Sequence, residues 1–345
     1  MIKKVKIGII GLGYVGLPLM VSFSKKFEVI GFDINKKKIN NLKNNNDETL
    51  QLNNDDFLRI KEKLTFKIMD LYNCNVFIIT VPTPVNKNKL PDLSPLKKAS
   101  ILLSKVIKHK DLVIYESTSF PGTTENICAK IIEERSLIKY VKSDENEKKL
   151  NLKKEKYFYC GYSPERINPG DKKYKLENIV KVVSASTKKS LKFVNFLYKS
   201  IIKAGTYKAE SIQIAEAAKI IENTQRDINI ALFNELSIIF RKLNLNSKAI
   251  IDAASTKWNF HRYEPGLVGG HCISTDPYYL TYISKKNKYS PKIILSGRKL
   301  NDNMYKWVFK NIIKLLKKRN SKKKIKVLIL GLTFKENCPD IRNSQ

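Results

Sequence analysis

The sequence predicts an α/β protein: an N-terminal doubly wound parallel sheet, a long central helix with a helical domain, and the start of a second, truncated C-terminal α/β domain. Three observations predict it. Short apolar, β-branched runs repeatedly end in polar loops, as the strands of a doubly wound sheet do at the edge where ligands bind. The stretch from Ser211 to Asn244 holds no glycine or proline and has helical apolar spacing. Behind a lysine-rich break at 321–324, KVLILGLTFK reads as a new buried strand with a glycine turn, close to the end at Gln345. The implied boundaries are 1–205, 206–320 and 321–345.

In order, Val5 to Ile10 reads as a strand, Tyr14 to Ser24 as a helix and Glu28 to Phe32 as a second strand ending at Asp33. Val76 to Val81 ends in Pro-Thr-Pro, and Leu112 to Tyr115 ends in Glu-Ser-Thr. Lys142 to Lys156 is mostly charged or polar and reads as a surface loop before the strand-like Tyr157 to Tyr159. The helix from Ser211 would be about 50 Å long at ~1.5 Å per residue. Shorter helices are expected over Ser247 to Ala254, Pro277 to Lys285 and Ser296 to Lys318.

With 345 residues, 42% of them apolar, the chain can bury the cores of two or three domains. Its net charge of +33 raises a polyanion-binding reading, but only nine of the 65 basic residues are arginine and the lysines are scattered. No nucleic-acid recognition module is visible, so the charge argues for a field that attracts an anionic small molecule. Five cysteines (Cys74, Cys128, Cys160, Cys272, Cys338) with no CxxC pair, and only three histidines, suit neither a disulfide framework nor a metal site. The basic, apolar start imitates a signal peptide, but glycines interrupt it and no cleavage site follows. No stretch has the length of a membrane helix, and a cytoplasmic location is expected.

Gly11-Leu12-Gly13-Tyr14-Val15-Gly16 is a GxGxxG turn between a strand and a helix, with Asp33 at the end of the next strand. The first glycine makes the turn, the second lets backbone approach a pyrophosphate, and the third lets helix and strand pack closely. This register makes the N-terminal sheet Rossmann-like. Asp33 would bind the ribose hydroxyls of NAD and repel the extra phosphate of NADP.

Lys219 and Asn223 stand one turn apart on the long helix and share a face. Such a pair serves either a cleft or a solvated stripe. Gly269-Gly270-His271-Cys272 followed by Asp276 places a thiol beside open backbone with a carboxylate four residues on. Spacing alone leaves open whether Cys272 is a nucleophile or an inert buried thiol.

The motifs GLGYVGLP, FDIN, VPTP, EST, YSPERINPGD, AEAAKIIENTQRD, PGLVGGHCISTDPYY and GLTFKENCPDIRNS run along essentially the whole chain. In them the sequence resembles the UDP-sugar 6-dehydrogenases, which include UDP-glucose and UDP-N-acetylhexosamine dehydrogenases. The GGHC form followed by DPYY is closer to the N-acetylhexosamine branch, because the glucose branch tends to carry serine at the place of His271. The resemblance implies that Gly11, Gly13, Val15, Gly16, Asp33, Lys38, Thr83, Thr118 and Arg342 hold NAD. Lys38 stands where relatives usually have arginine. It implies a catalytic set of Cys272, Lys219, Asn223, Asp276, Glu165 and Thr118. The UDP-sugar is expected against Glu165, Arg166, Asn168, Lys219, Asn223, Gly269 and Lys335. No metal, nucleic acid or membrane is expected to take part, and a homodimer or higher homo-oligomer is.

The implied activity is oxidation of a UDP-N-acetylhexosamine to its uronate, by two hydride transfers through a thioester on Cys272, for surface polysaccharide synthesis. Two alternatives stand beside it: a UDP-glucose 6-dehydrogenase, and a non-catalytic nucleotide-binding product of a truncated gene.

Overall fold

The computed structural model of the chain describes residues 4–167, 174–318, 326–333, 336 and 340–345. Its contacts divide it into two units, Met1–Ile220 and Ile221–Gln345. The division falls inside one helix.

The first unit is built on nine strands: β1 (Lys6–Ile10), β2 (Glu28–Phe32), β3 (Leu64–Thr65), β4 (Val76–Ile79), β5 (Leu112–Tyr115), β6 (Lys139–Tyr140), β7 (Tyr157–Tyr162), β8 (Lys181–Ala185) and β9 (Thr206–Lys208). They lie in the order β3-β2-β1-β4-β5-β7-β8-β9, with β6 beside β7. All pairings are parallel except β7 with β8, where Gly161 faces Ala185 and Tyr162 faces Ser184.

Alternation along the central strands builds two cores. Ile7, Ile9, Val76, Ile78, Leu112 and Ile114 feed the cluster on one face, and Ile10, Phe77, Ile79, Val113 and Tyr115 feed the other. A sheet covered on both faces needs apolar residues at both parities, which is why its strands read as continuous apolar runs. Each such side chain contributes roughly 1.5–3 kcal/mol when fully buried.

Helices α1 (Gly16–Ser24), α2 (Lys36–Lys43), α3 (Asn54–Ile60), α4 (Ser94–Leu103), α5 (Lys130–Ser136), α6 (Asp144–Leu152) and α7 (Lys188–Lys199) accompany the sheet. Their starts are written locally. Asn35 caps α2 by accepting from Lys38 N–H, and Asn53 with Asp56 and Thr187 with Ser190 form capping boxes on α3 and α7.

The expected loop at Lys142 to Lys156 is corrected by α6. Ser143 caps it by accepting from Asn146 N–H, and Asp144, Glu145 and Glu147 place negative charge on its first turn. Leu150 is buried, and Glu147 accepts a hydrogen bond from Tyr159 at 2.6 Å. A single buried apolar residue among polar ones gave no helical period to read.

Helix α8 (Ile212–Lys242) spans 31 residues, against the expected Ser211 to Asn244, and both units share it. The second unit adds α9 (Ser247–Ala254), α10 (Asp276–Lys286) and α11 (Lys292–Lys318). Helix α11 begins four residues before the expected Ser296, so Gly297 lies inside it. A Cβ there would come 3.4 Å from Ala231 Cβ, so α8 and α11 approach closely at this glycine.

The strand expected from Lys326 is also corrected. Residues 326–330 have no strand partner among the described residues, and Val327 to Leu330 are exposed. An apolar run becomes a strand only when a neighbour takes its backbone hydrogen bonds.

Candidate active site

In the first unit, the carboxyl ends of β1 and β2 assemble a nucleotide-binding edge. Gly11 has φ +99°, a conformation other residues adopt with strain, and its N–H donates to Phe32 carbonyl at 2.8 Å. A Cβ on Gly16 would stand 1.9 Å from Gly11 carbonyl oxygen, so only glycine fits. Gly13 has nothing within 4 Å of its Cβ position, leaving its backbone open to a ligand. Val15 begins α1 without a side-chain cap, so the positive end of the helix faces the same loop.

Asp33 is buried at the end of β2. It accepts from Leu12 N–H at 3.0 Å and Asn35 N–H at 2.9 Å, and pairs with Lys38 Nζ at 2.7 Å. The carboxylate therefore ties the glycine loop to the next turn, and Lys38 is brought onto it. Thr83 and Thr118 are half-buried in the loops after β4 and β5.

These features suit a dinucleotide: a close-approach glycine, an uncapped helix start and a carboxylate fixed at the end of the next strand. Gly11, Gly13, Gly16 and Asp33 are therefore residues that could hold NAD.

In the second unit, Cys272 lies in the turn entering α10 and is exposed. Its carbonyl accepts from Asp276 N–H at 2.8 Å, so the main chain closes one turn between the cysteine and the aspartate. Asp276 is buried and its Oδ2 accepts from the Asn223 amide at 2.5 Å. Lys219, one turn before Asn223 on α8, belongs to the first unit and is buried there.

The turn is held from two sides. Asn234 on α8 donates to Gly266 carbonyl at 3.0 Å and accepts from Gly266 N–H at 2.8 Å, clamping the chain that leads to Gly269, Gly270 and Cys272. Gly270 has φ +87° and exchanges hydrogen bonds with Asn343, both at 3.2 Å. His271 Nε2 lies 2.9 Å from Asp340, which also pairs with Arg342 at 2.5 Å. The Arg342 hydrogen bonds hold the Asp340 carboxyl well below the usual carboxylate range.

Below the turn, Arg298 is fully buried and pairs with Asp227 at 2.5 Å and with Asp302, while Tyr278 at the start of α10 donates to Asp302 at 2.6 Å. This network ties α8, α10 and α11 together.

One further anchor on α8 belongs to the first unit. Glu216 accepts from Ser119 Oγ at 3.1 Å, Gly122 N–H at 2.6 Å, and Thr124 N–H and Oγ1 at 2.8 and 2.7 Å. It fixes the loop that carries Thr118. Burial pushes its carboxyl up to about 7 despite those bonds.

Glu165, after β7, accepts from Arg166 N–H at 2.6 Å and from Ile167 N–H, and Arg166 reaches Val180 carbonyl at 2.8 Å. Beside it lies a group that sequence reasoning missed. Lys181 is buried with its ammonium 2.6 Å from Glu116 and 3.7 Å from Glu165. Nothing in the spacing marks Lys181, one lysine among dozens. Glu116 stands in the EST motif, which was its only signal. Asn168 and Lys335 lie outside the described residues.

The cysteines separate by environment. Cys74 and Cys128 are buried, which pushes both thiols up to about 12, and burial raises Cys160 well above the ordinary thiol value too. Cys272 alone among the described cysteines is exposed. Among the described residues no group of three or more His, Cys, Asp or Glu could hold a metal, and no helix is long and apolar enough to cross a membrane.

Comparison with known proteins agrees with this layout. Residues 5–202 match the NAD binding domain of the UDP-glucose/GDP-mannose dehydrogenase family, and residues 213–303 match its central domain. The chain is 51% identical to the UDP-N-acetyl-D-glucosamine 6-dehydrogenase of Pseudomonas aeruginosa, over 99% of this chain and 78% of that one. It is 52% identical to the enzyme of the same name from Salmonella typhi, over 100% and 78%. Among solved structures, the UDP-D-ManNAc dehydrogenase of Pyrococcus horikoshii superposes with a TM-score of 0.85 at 31% identity, covering 99% of this chain and 78% of that one. These matches show that the chain belongs to the UDP-glucose/GDP-mannose dehydrogenase family, whose N-terminal domain binds NAD.

Proposed function

We propose that this protein is an NAD-dependent 6-dehydrogenase that oxidises a UDP-N-acetylhexosamine to the corresponding uronate. The observation that carries the reading is the Asn223–Asp276 hydrogen bond beside the exposed Cys272, in a chain about half identical to UDP-N-acetyl-D-glucosamine 6-dehydrogenases. That identity favours the N-acetylhexosamine reading over UDP-glucose and over a non-catalytic product.

Gly11, Gly13, Val15, Gly16, Asp33, Lys38, Thr83, Thr118 and Arg342 hold NAD in this reading, and Glu165, Arg166, Asn168, Lys219, Asn223, Gly269 and Lys335 hold the sugar nucleotide. Two NAD molecules, bound in succession, would each supply the acceptor for one hydride. Asp276, through a water, takes the proton of the primary alcohol as the first hydride leaves its carbon. The Lys219 ammonium and the second amide N–H of Asn223 stabilise the developing oxyanion, one such donor being worth about 10²–10³ in rate.

The Cys272 thiolate adds to the aldehyde carbon, and loss of the second hydride from the thiohemiacetal leaves a thioester. Water then attacks the thioester carbonyl, the carbon–sulfur bond breaks and the thiolate is restored. Glu165, with Thr118, positions that water and receives its proton. A bound aldehyde never has to leave the enzyme.

The domain plan that accompanies this reading is a NAD-binding domain over 1–205, a central helical and dimerisation domain over 206–320 and the beginning of a UDP-binding domain over 321–345. A cytoplasmic homodimer supplying surface polysaccharide synthesis completes it. The test is Cys272→Ser with NAD and UDP-N-acetylglucosamine, UDP-N-acetylgalactosamine or UDP-glucose. Accumulated ester or lost turnover supports the mechanism, and full conversion to the uronate at the parent rate sinks it.

A further inference from the structure

Lys181 is the first residue of β8, which pairs antiparallel with β7. In the parallel part of the sheet, strand beginnings lie at the edge away from ligands. Reversal of β8 brings its beginning to the carboxyl edge, level with the ends of β5 and β7. Glu116, just past β5, and Glu165, just past β7, meet the lysine there.

The cluster is fully withdrawn from water on two of its three members. Side-chain exposure is 3% for Lys181, 0% for Glu116 and 12% for Glu165. Tyr198 donates to the second oxygen of Glu116, and its ring lies 5.4 Å below the ammonium. Burial alone would pull the lysine pKa down, but the two carboxylates outweigh it and the net direction is up. The ammonium is therefore charged, and Glu116 with Tyr198 is built to hold it.

Burying an ion pair adds little to stability against a well-packed apolar pair, so the fold alone does not account for this one. Glu165 supplies the reason. Its Oε1 is saturated by two backbone N–H groups of its own turn, whereas its buried Oε2 has no hydrogen-bond partner and faces Lys181. We infer that Lys181 is a positioning residue for thioester hydrolysis: anchored by Glu116, its ammonium fixes by charge the orientation of the Glu165 carboxylate, the group that positions the hydrolytic water in the proposed reaction. This rests on the role proposed for Glu165.

The experiment is a double-mutant cycle in the full chain with UDP-N-acetylglucosamine and NAD, following NADH release and the intact mass of the protein. Lys181→Met lowers kcat by about tenfold or more, leaves the sugar-nucleotide KM near the parent value, and accumulates protein carrying the acyl adduct at Cys272. Glu165→Gln gives the same signature, and the double variant is no worse than Glu165→Gln alone, because the lysine acts only through that carboxylate. If Lys181→Met does not fold, Lys181→Met with Glu116→Gln removes both buried ions together, a change the interior tolerates, and the same loss of kcat is expected.

Parent turnover in Lys181→Met, or full additivity in the cycle, overturns the inference while Glu165 keeps its role. Parent turnover in Glu165→Gln overturns the reading of Glu165 itself, and the inference with it.

Discussion

The amide of Asn223 on α8 stands 2.5 Å from Oδ2 of Asp276 at the start of α10, although 53 residues separate them in the chain. The bond sets the orientation of the carboxylate. Asp276→Asn preserves the shape and loses the proton acceptor. A fall in kcat of about 10²–10⁴ is expected with a near-parent KM. Asn223→Ala leaves a buried acceptor without its amide and costs about 1–3 kcal/mol of stability as well as rate. Unchanged kcat in Asp276→Asn, read from steady-state NADH formation, would remove it from the mechanism.

Thiol chemistry discriminates among the cysteines. Iodoacetamide at neutral pH is expected to label Cys272 and to spare Cys74, Cys128 and Cys160, whose burial suppresses the thiolate. Peptide mapping of the native protein reads this directly. Preferential labelling of any of the three buried positions contradicts the arrangement.

Cofactor binding tests the glycine edge. Gly16→Ala drives a Cβ into Gly11 carbonyl, whose oxygen lies 1.9 Å from that position, so NAD affinity is expected to collapse. Lys38→Ala removes a partly exposed ion pair with Asp33 together with the proposed Lys38 contact to NAD, and is expected to weaken binding less than Gly16→Ala does. Titration calorimetry with NAD orders the two variants, and equal effects would mean that the loop geometry is not what recognises the cofactor.

Glu216 makes stability depend on pH. Its native carboxyl is raised from 4.5 to about 7, so the stability linked to it is complete below about 4.5 and is lost as pH rises through about 7. The loss is bounded at roughly 3 kcal/mol for a displacement of this size. Glu216→Gln removes that dependence, and its unfolding midpoint relative to the parent should improve between about pH 5 and about pH 8. A constant difference between the two proteins across that range would exclude the linkage.

Much of the first unit was legible because its signals are local. Gly11, Gly13, Gly16 and Asp33 are bound by the geometry of one strand, one turn and one helix, so their spacing already contains their arrangement. The apolar runs of β1, β2, β4 and β5 and the long breaker-free α8 were readable for the same reason. Helix α6 was not, because its one buried leucine lies among polar residues and its cap is a single serine.

By itself, the sequence determined where the nucleotide-binding turn lies and that α8 carries Lys219 and Asn223 on one face, since backbone sterics and helical period act over a few residues. Only tertiary structure decided which of the described cysteines is exposed, which carboxylate Asn223 reaches, and that Lys181 meets Glu116 and Glu165. Those outcomes depend on burial and on the direction of one strand, and both are properties of chain segments far apart in sequence packed together, which no local pattern encodes.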